Sequence, residues 1–464
     1  MSIFKPKGIS GMTDMTKGSP YRLLFMFSLP LLIGNIFQQL YNMVDSIVVG
    51  QFIGSKALAA VGTGFPVIFM LASLFMGVGM GATIMLSQYY GAKDYEKLQH
   101  TVSTIYTAMI IGSVPLTIIG ILVLDPLLNI MHVPDDGTLE MTKIYMTIIF
   151  IGVLGTIGFN INAGILQGFG DSQTSLLFLL IASIINIVLD IVFTVVCHFG
   201  VAGVAVATVI AQVVSWFFGI YYINKHYEFI HISLLKFEFK KELFLTAVKL
   251  GIPSGIQQAL FAIGIMVLQS LINSFGSSFM AGFNGANKID TFAFMPIQSF
   301  SAAITTYTGQ NVGAGNYQRV KEGLKAGIVL SISVCLGITI IIFPLSSLFM
   351  TMFGDDPDMI AAGVAYLHTV LPFYSLLALN FIFNSVMRGA GEMTVPLIST
   401  FVALWIGRLP VAHLLAYFAG PGYIFYSYGI SWALGLMISI PYYKKGKWKE
   451  KGLVKNNGNQ KDIK

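Results

Sequence analysis

Long apolar runs, broken by short polar or glycine-bearing turns, repeat along the whole chain. Twelve can be marked, approximately over 20–48, 57–88, 99–123, 140–167, 173–197, 201–223, 242–275, 279–310, 321–345, 358–387, 395–417 and 424–443. Apolar runs of this length are the mark of helices that cross a bilayer. Several exceed the roughly 20 residues a crossing needs, which implies tilt, kinks or extension beyond the membrane. Pro30, Pro66, Pro253, Pro296 and Pro372 fall inside runs. Each removes a helix hydrogen bond and is expected to bend its helix. The first run starts near Tyr21 and lacks the short core and small-residue cleavage site of a secretory peptide. It is expected to be a retained span.

Composition agrees with the pattern. The 464 residues are 55% hydrophobic and 10% charged, against about 25% charged in soluble domains. The mean hydropathy of +0.76 leaves too little polar surface for a water-soluble protein. A net charge of +6 raises the question of nucleic acid. Its distribution answers it, because the basic residues lie in alternate loops. If the N-terminus is cytoplasmic, the inner loops and segments carry Lys5, Lys7, Lys17, Arg22, Lys93, Lys97, Lys225, Lys236, Lys240, Lys241, Lys249, Arg319, Lys321, Lys325, Arg388 and the run from Lys444. The outer loops hold only Lys56 and Lys143, and are acidic at Asp135, Asp136, Asp355, Asp356 and Asp358. That is the positive-inside asymmetry, and it predicts cytoplasmic termini and an even number of spans. Two cysteines, Cys197 and Cys335, exclude a disulfide framework or a multi-cysteine metal site.

The halves of the chain repeat each other. Gly54-Ser55 returns as Gly276-Ser277, and Gln88, Gly91, Ala92 and Tyr95 return as Gln310, Gly313, Ala314 and Tyr317, at an offset of about 222. Gly168, Gly170 and Asp171 return as Gly389, Gly391 and Glu392, at about 221. Six spans precede the longest inner loop and six follow it, so the repeats share one orientation and a pseudo-two-fold axis along the membrane normal. The expected organisation is an N-terminal segment 1–19, a first lobe 20–223, a linker 224–241, a second lobe 242–445 and a basic tail 446–464. Two like bundles predict a transporter in which a cavity between them opens alternately to each side. No phosphate-cradling Gly-x-x-x-x-Gly-Lys-Ser/Thr loop occurs, so an ion gradient is the expected energy source.

The chain resembles the multidrug and toxic compound extrusion (MATE) transporters over roughly residues 17–445. The residues that carry the resemblance are Ser28-Leu29-Pro30, Met43-Val44-Asp45-Ser46, Gly50-Gln51-Phe52-Ile53-Gly54 and Ala57-Leu58-Ala59-Ala60-Val61-Gly62. Ser87-Gln88-Tyr89-Tyr90-Gly91-Ala92 and Leu166-Gln167-Gly168-Phe169-Gly170-Asp171 continue it. Asn287-Lys288-Ile289-Asp290 with Met295-Pro296 is similar to the MepA-like branch of Gram-positive bacteria. The resemblance implies an all-α integral membrane fold: twelve transmembrane helices in two pseudo-symmetric six-helix lobes around a central V-shaped cavity. It also implies a drug/cation antiporter.

Ionisable residues inside spans are costly, about 2.5–3.5 kcal/mol each at the bilayer centre on insertion scales, and mark candidate sites. Five stand out: Asp45, Asp190, Lys288, Asp290 and Arg408. Asn186 and Asp190 are four apart and share a helix face. Asp190 and Thr208 each lie about seven residues, ~10 Å, from the outer end of their spans, and Asp45 lies near the outer end of span one. Three helices of one lobe thus place oxygens at a common depth. Two carboxylates brought together cannot both stay ionised, so the group would bind a proton; the same oxygens could coordinate Na⁺. In the resembling family the matching positions, Asp45, Asn186, Asp190 and Thr208, form a cation site. The plainer alternative is that Asp45 caps a helix end and Asp190 holds a helix contact. Asn160 and Asn162 in span four lie deeper and suit ordinary interhelical hydrogen bonds equally well.

The second lobe differs. Some members of the family carry acids in spans seven and ten; here span seven offers Gln257 and Gln258, and span ten offers no carboxylate. Asp290 and Arg408 lie ~16 and ~13 Å from the outer ends of their spans, a depth match that suggests a direct contact. The alternative is that Asp290 faces the cavity and attracts cationic substrates. Lys288 points to a different face and would snorkel or line the cavity. The 36 Phe and 22 Met suit a pocket for lipophilic cations, although in a lipid-embedded protein most such residues pack or face lipid.

The leading expectation is a monomeric, multi-pass exporter in a bacterial cell membrane. It would take small lipophilic or cationic molecules in exchange for H⁺ or Na⁺, contact membrane lipids, and need no cofactor and no nucleic acid. A lipid-linked oligosaccharide flippase of the same superfamily is the alternative, but would favour fourteen spans and a basic cavity. An intramembrane enzyme would need a catalytic pair such as His-Glu-x-x-His; the histidines are scattered, with His132 and His198 in outer loops. A channel would not explain the repeat.

Overall fold

A computed structural model describes residues 13–131 and 133–454, apart from the side chains of residues 65, 66, 69–72 and 74. Lys5, Lys7, His132, the Pro66 side chain and the tail lysines beyond residue 454 lie outside the described residues. Among the described residues the chain is helical and has no strand. The first repeat contains α1 (Pro20–Val48), α2 (Ser55–Gly91), α3 (Tyr95–Ile130), α4 (Thr138–Ile151), α5 (Val153–Gly168), α6 (Ser172–Ile191) and α7 (Gly200–His226). The second contains α8 (Lys241–Asn273), α9 (Ser277–Gly313), α10 (Tyr317–Thr351), α11 (Pro357–Val370), α12 (Tyr374–Ala390), α13 (Thr394–Phe401), α14 (Leu409–Ala419) and α15 (Tyr426–Lys444).

These helices make the twelve spans. Among the described residues nine helical segments are long and apolar enough to cross a membrane, and the bent pair α4–α5 is a tenth. The 37-residue helices α2 and α9 complete the set. α9 is the more polar because Asn284, Asn287, Lys288, Asp290 and Gln298 lie along it.

Continuity departs from expectation in instructive places. Pro30, Pro253 and Pro296 sit inside α-helices that run on past them. The span expected over 140–167 instead breaks at Gly152, with a 53° bend between α4 and α5. A Cβ there would lie 2.3 Å from a methyl of Val209 on α7, so any larger residue would force Val209 to move. The span expected over 358–387 is interrupted by a 3-10 turn at Leu371–Phe373, where Pro372 cannot continue the α-helical ladder. π-helical turns occur at Val49–Ile53, Val192–Val196 and Val402–Arg408.

The repeat has a backbone cause. Gly54 (φ 117°) turns the chain into α2 and Gly276 (φ 98°) turns it into α9. Both angles lie in the left-handed region, where a Cβ is crowded.

Among the described residues the chain resolves into two compact units, one built on Ile33–Gly255 and one of Asp14–Leu32 with the residues from Ile256 onward. The division falls inside α1 and inside α8, not at the 224–241 linker. Pro30 and Pro253 each stand two residues before the point where their helix passes from one unit to the other. In the first unit, one apolar cluster gathers Val67, Leu124, Leu128, Met146 and Phe150. In the second, Ile297, Tyr366, Leu371, Tyr374, Phe425 and Trp432 belong to one continuous core. Cys335 is buried, Cys197 is exposed, and both are free thiols.

Candidate functional site: two polar clusters among apolar helices

In the first unit Asp45 lies in the last turn of α1, immediately before the first π turn, and Asp190 in the last turn of α6, immediately before the second. π turns insert an extra residue and re-aim the side chains beside them, often at functional sites. Asn186 stands one helical turn before Asp190. Its amide donates from Nδ2 to Asp190 Oδ2 at 2.8 Å and presents its oxygen to Thr208 Oγ1 and the Thr208 backbone N, each at 3.2 Å. Thr208 is on α7. Tyr41, one turn before Asp45 on α1, hydrogen-bonds to Thr208. The Asp45 and Asp190 carboxyls reach each other directly. Tyr145 of α4 lies within electrostatic range of both acids.

The result is a chain of contacts, Asp45–Asp190–Asn186–Thr208–Tyr41, which the α1 helix closes on itself. Asp190 and Asn186 are almost fully enclosed, at 1% and 2% exposure. One oxygen of each acid, Asp45 Oδ1 and Asp190 Oδ1, is buried with no hydrogen-bond partner. Neither acid takes part in an ion pair with Lys, Arg or His among the described residues. The donors are all oxygen, and no group of three or more His, Cys, Asp or Glu is gathered among the described residues. Such a set suits a proton or a hard monovalent cation rather than a transition metal.

The asparagines of span four serve differently. Asn160 is exposed and donates to Thr156 O at 2.8 Å. Asn162 is fully buried, accepts from the Tyr106 hydroxyl and donates to Trp216 O at 2.9 Å, so it ties α5 to α3 and α7.

In the second unit Asp290, on α9, accepts a hydrogen bond from the Tyr374 hydroxyl and another from Tyr366. Arg408 closes the third π turn. Its guanidinium lies 4.0 Å from the Tyr428 ring centroid and 5.5 Å from that of Trp432. It also donates to Ser431 Oγ from Nη2 at 3.3 Å and from Nε at 3.4 Å. The expected direct Asp290–Arg408 contact is not formed: no ion pair within 4.0 Å joins them. Two phenols satisfy the acid and two aromatic faces hold the cation, while the opposite charges still attract across the rings.

Lys288 is exposed and lies 6.0 Å from the Phe353 ring beyond the end of α10. Gln257 donates to Thr400 Oγ1 at 2.5 Å and Pro396 O at 3.4 Å, pinning α8 to α13. Gln258 is exposed.

The tyrosines of both clusters stand apart from the ionisable residues that the sequence pattern marks. Tyr41 had a signal, since it stands four residues before Asp45 and shares its face. Tyr145, Tyr366, Tyr374 and Tyr428 had none, among 20 tyrosines in the chain.

The MatE family profile matches the chain twice, over residues 30–192 and 253–414. The chain is 29% identical to "Probable multidrug resistance protein YpnP" of Bacillus subtilis, over 94% of this chain and 97% of that protein. It is 25% identical to "Multidrug export protein MepA" of Staphylococcus aureus, over 81% and 83%. Among solved structures, a multidrug resistance MATE family transporter of the MOP superfamily in its outward-facing conformation superposes with a TM-score of 0.88 at 24% identity, covering 96% of this chain and all of that one.

Proposed function

This chain belongs to the MatE family, and from that premise we propose that it exports small amphipathic or cationic molecules across the bacterial cell membrane in exchange for protons. The reading rests on one observation above all. Two carboxyls touch inside the membrane part of the first unit, and among the described residues no basic side chain pairs with either. Two acids at hydrogen-bond range need a positive charge between them, and a single proton fits that contact without moving either helix. The relatives named for multidrug resistance and export support the outward direction and the breadth of substrate.

Asp45 and Asp190 take up the proton on the outer side. Asn186 and Thr208 hold Asp190 in place, and Tyr41 couples the group to α1. Loading changes the charge at the ends of α1 and α6, where the π turns make the helices adaptable. Alternating access then carries substrate outward as the proton moves inward. The loops bearing Lys93, Lys97, Arg319 and Lys321 face the cytoplasm, as do both termini.

The test is uptake of a fluorescent lipophilic cation into inverted vesicles, for the intact chain and Asp190→Asn, under an imposed pH or Na⁺ gradient. Uptake driven by an acid interior and lost in the variant is the expected result. Uptake that follows only Na⁺ would replace the proton by that ion at the same oxygens. Equal uptake by both proteins would remove the coupling role of Asp190, and no response to either gradient would remove antiport.

A further inference from the structure

Arg388 lies in the last turn of α12. The carbonyl end of a helix favours a cation there. Long side chains on a helix run back toward its N-terminus, and this one does: Nη2 donates to Ser385 Oγ at 3.2 Å, one turn earlier, and to Ser301 Oγ of α9 at 3.1 Å. The two serine hydroxyls are 2.6 Å apart and both are buried. Arg388 Nε is enclosed and has no acceptor, and neither has the Thr308 hydroxyl. Thr308 packs against Gly389, the next residue along α12. Among the described residues no carboxylate forms an ion pair with Arg388. The nearest acid in sequence, Glu392, is taken up by Lys451 at 3.2 Å, Tyr442 at 2.7 Å and the Thr394 N–H at 2.9 Å.

The other repeat shows the same place without this equipment. The repeat offset of 221 to 222 sets Gln167, Gly164 and Gly79 against Arg388, Ser385 and Ser301. There Gly79, Thr83, Ile161 and Ile165 border an apolar cavity of about 10 Å³, room for one water at most. Gln167 turns instead to Ser175, at 3.4 Å. One repeat leaves the position uncharged, with its glutamine turned away; the other fills it with a guanidinium, two hydroxyls and a threonine hydroxyl without a partner. Packing alone calls for no charge. A guanidinium whose ordinary partner would be a carboxylate, and which has none, is suited to an external one.

We propose that Arg388, Ser301 and Ser385 form an oxyanion-binding site in the second unit, which takes a phosphate group. The planar fork of the guanidinium matches two oxygens of a phosphate; the two serine oxygens accept from Nη2 and hold the fork in place, with the Ser385 hydroxyl itself donating to Phe381 O at 2.7 Å, and Arg388 Nε and the Thr308 hydroxyl, both without a partner, are the donors left for the anion. A free phosphate and the headgroup of an anionic phospholipid offer the same chemistry.

The experiment is thermal unfolding of the purified full chain in detergent at constant ionic strength. Sodium phosphate is titrated in one arm and phosphatidylglycerol in mixed micelles in the other. One or both should stabilise the intact chain saturably. Arg388→Gln, which installs the other repeat's residue, should weaken the apparent affinity by about tenfold or more, and Arg388→Lys should retain part of it. Should Arg388→Gln fail to fold, Ser301→Ala with Ser385→Ala leaves the charge in place and should still weaken binding. Stabilisation by phosphate alone assigns the site to a soluble anion, and by phosphatidylglycerol alone to a lipid headgroup. Stabilisation of the intact chain and the variants alike, or by neither ligand, overturns the proposal.

Discussion

The acidic clusters of the two units solve the problem of a charge among apolar helices in opposite ways. In the first, Asp45 and Asp190 meet each other and neutral partners, Asn186, Thr208 and Tyr41, and among the described residues no basic side chain is paired to them. In the second, the single acid Asp290 is bound by two phenols, and the balancing Arg408 is held on the faces of Tyr428 and Trp432. A group that has to take up and release a cation cannot carry its own permanently. A group that only has to stay folded is better with the counter-charge built in. On the proposed function the first cluster exchanges and the second braces.

The sharpest way to break this comparison is to neutralise each acid in turn. Asp190→Asn should reduce gradient-driven transport to the level of empty vesicles while leaving the protein folded. Asp290→Asn should keep gradient coupling and lower thermal stability. Reversal of the two phenotypes, read by vesicle uptake and thermal unfolding, would invert the assignment.

Arg408→Leu comes next in size. It removes the cation–π contacts with Tyr428 and Trp432, worth about 2 kcal/mol or more when desolvated, and takes away the opposite charge that attracts Asp290 across the rings. Asp290→Asn placed on top should recover part of the loss, so a double-mutant cycle by thermal unfolding should show coupling between residues that do not touch. Simple additivity would mean that the rings insulate the two charges.

Tyr374→Phe deletes one hydrogen bond to Asp290 and should destabilise by about 1–2 kcal/mol. Transport driven by a pH gradient should persist, because the first cluster is intact.

The smallest effect belongs to Glu392, in the turn between α12 and α13. Burial, the strongest influence, pushes its carboxyl up, but hydrogen bonds from Tyr442 and Lys451 outweigh burial and hold it below the usual range. With a folded value below the unfolded one, its contribution is complete above the unfolded value of about 4.3 and is lost as pH falls through the folded value. Glu392→Gln should therefore lower stability by about 1 kcal/mol near neutral pH. The gap should close as the pH falls below the unfolded value and through the lower folded one; a gap independent of pH would show that these contacts do not depend on the carboxylate.

Much of this was legible in the chain itself. Apolar runs long enough to cross a bilayer permit little but helix, because backbone groups in lipid must be satisfied within the segment. The repeat was visible because its turns need particular backbone angles, as at Gly54 and Gly276. The oxygens of Asp45, Asn186, Asp190 and Thr208 were assembled by counting residues along helices, since a helix converts sequence spacing into depth and face at a fixed rate. The same helical rate sets Asp290 and Arg408 at similar depths and fixes no more than that. That Tyr366, Tyr374, Tyr428 and Trp432 surround them is not written in the spacing, because four aromatic residues from three other helices carry no spacing relative to α9.

The sequence by itself thus determined the spans, their repeat and which side chains share a level. Only the tertiary structure decided who touches whom across helices. It broke span four at Gly152, where Val209 leaves no room for a Cβ, and not at a proline. It also set Arg408 on rings rather than on Asp290, and left Arg388 without an acid although Glu392 stands four residues away. The physical reason is the same in each case. Depth and face follow from local helical geometry, whereas partnership depends on the rotation and approach of helices distant in sequence, which packing alone fixes.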